Sequence, residues 1–134
     1  MEDISREEFT NAAQYYINCT ILSNNDIITS ITQDDNCIII KTPTKNILFC
    51  KQDDDTFKLH FIYDNDTNKL CKFYNSIDFT ILDKINMKKE DIFNGQIDCN
   101  VVILEKIENN ILYFLHVDLD YEIETYISVK YTII

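Results

Sequence analysis

From Glu122 to Ile133 the chain alternates without a fault. Ile123, Thr125, Ile127, Val129, Tyr131 and Ile133 stand against Glu122, Glu124, Tyr126, Ser128, Lys130 and Thr132. Successive side chains of a strand point to opposite faces, so this period of two calls for a long strand with one dry and one wet face. A helix would scatter the same residues around its whole circumference. Such a strand needs paired neighbours and an apolar layer against its dry side.

The neighbours are legible upstream. Ile27, Thr29 and Ile31 alternate, Asp34-Asp35-Asn36 reads as a turn, and Cys37 to Lys41 as the returning strand. Pro43-Thr44-Lys45-Asn46 reads as the next turn, followed by Ile47 to Cys50, and Asp53-Asp54-Asp55 as the third. Phe57, Leu59, Phe61 and Tyr63 alternate with Lys58, His60 and Ile62 before a turn over Asp64 to Asn68 and a strand over Leu70 to Tyr74. Ile77, Phe79 and Ile81 form another alternating run. Cys99 to Ile107 and Ile111 to Val117 flank a turn at Glu108-Asn109-Asn110. This rhythm is that of a β-meander.

Two segments depart from it. Ser5 and Glu8 make a capping box, Ile4 and Phe9 stand where a hydrophobic staple would, and Phe9, Ala12, Ala13, Tyr16 and Ile17 recur at helical spacing. The spacing predicts a helix from Arg6 to Ile17. A short helix is also expected near 87–94, between Asn86 as N-cap and Gly95 as C-terminal cap. The predicted class is α+β: an N-terminal helix packed on a mainly antiparallel, meander-like sheet. The 134 residues suit one domain over 1–134.

The formal net charge is −11, from 23 acidic and 12 basic residues. That balance repels phosphate backbones and anionic membranes and attracts a basic protein partner. No direct nucleic-acid or membrane partner is expected. The start, Met1-Glu2-Asp3, is acidic and not followed by an apolar stretch, so a cytoplasmic location is expected. Abundant Ile and Asn with one Gly and one Pro suggest an A/T-rich genome. The five cysteines, at 19, 37, 50, 71 and 99, include no C-x-x-C pair. They read as buried reduced thiols rather than metal ligands.

Few residues offer chemistry. His60 and His116 stand at polar parity beside large apolar residues and read as partly exposed strand residues. A Cys/His dyad has no local signature to select its members. One glycine cannot build a phosphate-cradling loop. Asp64-x-Asp66-x-Asn68 begins like a calcium loop, but Lys69 replaces the required glycine and Asn75 the closing Glu. No catalytic residue, metal ligand or cofactor is assigned.

The sharpest feature is Asp118-x-Asp120-x-Glu122-x-Glu124, in a stretch without Lys or Arg between Lys106 and Lys130. In an unbroken strand the four would share one face, as a partner surface or a carboxylate metal site. Otherwise Asp118 and Asp120 occupy a hairpin turn and the run is solvated. The expected partner-binding residues are Asp118, Asp120, Glu122, Glu124 and Tyr126, with Tyr15 and Tyr74 as weaker aromatic candidates. The function expected is that of a non-enzymatic acidic inhibitor or binding protein docking on a basic protein. Toxin-immunity, anti-defence and viral accessory proteins share this composition. The alternatives are a structural subunit of a larger intracellular assembly and then a metal-dependent enzyme.

Overall fold

A computed structural model of the chain describes residues 5–64, 69–74, 96–98 and 100–134. Among these residues one helix, α1 (Arg6–Thr20), precedes ten strands: β1 (Asp26–Ile28), β2 (Ser30–Gln33), β3 (Cys37–Lys41), β4 (Lys45–Lys51), β5 (Phe57–Asp64), β6 (Lys69–Tyr74), β7 (Gln96–Asp98), β8 (Val101–Glu108), β9 (Ile111–Asp118) and β10 (Ile123–Ile133). The class is α+β with a mostly antiparallel sheet, as the alternation predicts. Ile4 of the staple, most of the turn at 64–68, the run at 77–81, the helix near 87–94 and Cys99 lie outside the described residues.

Helix α1 begins as its cap dictates, with the Ser5 hydroxyl oxygen accepting from the Glu8 amide at 3.2 Å. It runs one turn past the expected end at Ile17. The polar Asn18-Cys19-Thr20 suggests an exit, but the apolar stripe resumes at Ile21 and Leu22, which are fully buried. The Ile21 amide still donates to the Ile17 carbonyl, at 2.9 Å. Phe9, Ala13 and Ile17 form the buried face.

The sheet runs in the order β1-β10-β9-β8-β5-β4-β3-β2. Its two ends, β1 and β2, are consecutive in the chain and separated by Thr29 alone. The meander therefore curls until it nearly closes as a barrel. Segment 26–33 pairs first with β10, in parallel from Asp26↔Tyr131 to Ile28↔Ile133, and then with β3, antiparallel. At the crossing, the Thr29 amide and hydroxyl both donate to the Lys41 carbonyl, at 2.8 and 3.0 Å. Strand β5 forks: Phe57 and Lys58 pair with β8, while residues from Phe61 onward pair with β6, which pairs in parallel with β7.

Turn chemistry follows the sequence, but the strands reach into the expected turns, with Asp64 in β5 and Glu108 in β8. Asn109 and Asn110, at φ 54° and 60°, form the two-residue left-handed turn that fits a twisted hairpin. Lys45 and Asn46 belong to β4 rather than to the preceding turn. The Thr42 hydroxyl closes that turn earlier by accepting from the amides of Thr44 and Lys45.

The alternation of β5 breaks at a bulge. Leu48 faces Phe61 but Phe49 faces Leu59, so His60 is the extra residue. Ile62, expected among the polar partners, thereby joins the core with Ile47, Phe49 and Leu59. Leu48 and Phe61 are buried outside that cluster, so the β4–β5 pair is covered on both sides. Within the barrel Phe49 stacks on Phe114 at 6.0 Å, linking β4 to β9. No helix among the described residues is long and apolar enough to cross a membrane.

Candidate functional site

The β9–β10 hairpin carries all five residues expected to meet a partner. Register pairs Asp118 with Ile123, so residues 119–122 connect the strands. The acidic run is therefore not one strand face. The cause is local: an Asp118 side-chain oxygen accepts from the amides of Asp120 and Tyr121, at 2.9 and 3.2 Å. An Asp bonding to backbone two and three residues on turns the chain instead of extending it.

Asp118 is half-buried at the end of β9, whereas Asp120 and Glu122 are exposed in the turn. Glu122 has φ 57°. The other non-glycine residues with positive φ among the described ones are Asn25, Asp55, Asn109 and Asn110, all types that tolerate this region. Glu122 is not. Beyond it, Glu124 and Tyr126 share the outward face of β10, and Tyr126 is 67% exposed. Tyr15 of α1 is also exposed, and its hydrogen bond with the Cys19 thiol raises the phenol's pKa above the ordinary value. The side chain of Tyr74 lies outside what the structure describes.

Two residues that the alternation hides join this surface. Leu119 and Tyr121 are 48% and 52% exposed in the turn. Read as strand, they would belong to the dry face; the turn puts them in water among carboxylates. The Tyr121 ring also packs edge-on against Phe9, centroids 5.2 Å apart. The Arg6 guanidinium donates to the Glu124 carbonyl. The hairpin tip is thus held against the first turns of α1.

Between helix and hairpin opens a pocket of about 410 Å³. Phe9, Tyr15, Tyr16 and Cys19 line it from α1, and Asn100, His116, Asp118 and Thr125 from the sheet. His116 corrects the expectation of partial exposure: it is 5% exposed and points inward with Leu112 and Phe114. It lies in register between Val102 of β8 and Thr125 of β10, both buried. The parity of β9 misleads because its outward positions Ile111, Tyr113, Leu115 and Val117 are also apolar. Inside, His116 Nε2 lies 3.2 Å from the Asn100 amide oxygen, and its ring faces Tyr16 at 5.2 Å. His60, in contrast, is half-buried as expected.

Cys19 is exposed, against the expectation of burial, while Cys37 and Cys50 are buried. Cys37 and Cys50 face each other across β3 and β4. Among the described residues no three His, Cys, Asp or Glu side chains gather as a metal site. Comparison with protein-family models, with curated proteins and with solved structures finds no match to this chain.

Proposed function

We propose that this protein is a non-enzymatic acidic binding or inhibitor protein that docks on a basic protein partner through the β9–β10 hairpin. The observation that carries the reading is the composition of the hairpin tip. Large apolar side chains, Leu119 and Tyr121, are held out to water among Asp118, Asp120 and Glu122, with Tyr126 and Glu124 on the adjoining strand face. Aromatic anchors inside a charged rim are the usual anatomy of a binding surface: the anchors supply affinity and the rim steers encounter. The left-handed Glu122 adds weight, because that conformation is costly for a glutamate and favours retention for a purpose other than stability.

The test is association kinetics of the Asp120→Lys, Glu122→Lys double variant with the partner recovered from the native source. The wild-type on-rate should fall as salt rises, and the variant should associate more slowly at low salt with a smaller change in dissociation. Its fold stability should stay within about 1 kcal/mol of wild type, as surface charge changes usually do. An unchanged on-rate at low salt would make the acidic hairpin plain solvated surface.

A further inference from the structure

Building on that docking reading, we propose that the pocket between α1 and the β9–β10 hairpin receives an arginine side chain of the partner. The volume of about 410 Å³ is more than ten times the ~30 Å³ share of one water, room enough for a long side chain. The helix supplies aromatic walls in Phe9, Tyr15 and Tyr16. The sheet supplies one carboxylate, Asp118, and the buried polar groups of His116 and Thr125. Asp118 is held in place because one of its oxygens, Oδ1, already accepts from the amides of Asp120 and Tyr121. Its Oδ2 remains as an acceptor for a ligand.

This set favours a guanidinium over other cations. A guanidinium is planar and weakly hydrated, stacks on aromatic faces and donates from a rigid fork. A lysine ammonium is a strongly hydrated point charge and loses more on entering an aromatic-walled cavity. A neutral side chain gains nothing from the Asp118 carboxylate in the lining or from the field of a chain with 23 acidic and 12 basic residues.

The experiment is an amide NMR titration of the full chain with Nα-acetyl-arginine N-methylamide, against its lysine and citrulline counterparts. The arginine derivative should produce saturable shifts at Asn100, His116, Thr125 and 118–121. The lysine derivative should bind more weakly, and the uncharged citrulline derivative should give no saturable shift. Asp118→Asn keeps an oxygen for the turn amides and removes the charge. It should weaken arginine binding by about ten-fold or more, the change expected for loss of a charge-assisted hydrogen bond. Equal binding of citrulline, no saturable shift with arginine, or no effect of Asp118→Asn would overturn the assignment. If arginine fails to bind while the hairpin double variant still slows partner association, the pocket assignment is wrong and the docking stands. If arginine binds at the pocket and the double variant associates normally, the docking surface is wrong and the pocket stands as an arginine site.

Discussion

The imidazole of His116 faces the ring of Tyr16 with centroids 5.2 Å apart, so the inward face of β9 is tied to the middle of α1. The same imidazole bonds to Asn100 and is almost wholly buried. Replacing His116 with Leu keeps an apolar contact for Tyr16 but removes the Asn100 bond. Loss of a buried partner costs about 1–3 kcal/mol. Urea unfolding should show that loss, and a change under about 0.5 kcal/mol would mean that the bond adds nothing to the fold.

Glu122 should respond in the opposite sense. At φ 57° a glutamate carries a steric cost that glycine lacks. Glu122→Gly removes that cost but loosens the unfolded chain, so a net gain of about 0.5–1 kcal/mol is expected. The same variant should associate more slowly with the partner. A less stable Glu122→Gly protein would show that the left-handed turn is not strained.

Asp54 gives a pH test. Its carboxylate accepts from the Thr56 hydroxyl and amide, which hold its pKa below the ordinary value. A group with a depressed folded pKa contributes stability that is fully present above the unfolded value, about 3.9 for Asp, and is lost as pH falls through the folded value. Wild type should therefore be more stable than Asp54→Ala near neutrality. The gap should narrow as pH drops below about 4, followed by thermal melts from pH 7 to pH 2. A gap that widens on acidification would contradict the sign.

Thiol reactivity should separate the cysteines by burial. Cys19 is exposed on α1, whereas Cys37 and Cys50 are 2% and 8% exposed on facing strands. Alkylation of the native protein, read by peptide mass mapping, should label Cys19 first and the facing pair only as the sheet opens. Equal labelling rates would mean that β3 and β4 separate readily.

Much of the fold follows from local pattern. Ser5 with Glu8 starts the helix, Asn109-Asn110 makes a left-handed turn, and the alternation of β10 keeps Thr125, Ile127, Val129 and Tyr131 dry. Each of these depends on residues a few positions apart, so it can be read along the chain. Asp120, Glu122 and Glu124 were legible as surface residues, because charges this dense need water or a partner, whereas Asp118 is half-buried.

Closure of the barrel is another matter. The parallel pairing of Asp26–Ile28 with Tyr131–Ile133 joins segments about a hundred residues apart, and no local preference encodes it. Nor does parity decide which side of β9 faces inward, since both sides are apolar; Val102 and Thr125 in register beside it put His116 inside. The turn at 119–122 depends on the Asp118 carboxylate outcompeting strand pairing, and that choice moves Leu119 and Tyr121 from the core side to the surface. The pocket exists only because α1 lies against the hairpin that this turn creates. Short-range hydrogen bonding and side-chain period determined the elements; the packing of distant elements decided which faces meet and therefore where the site lies.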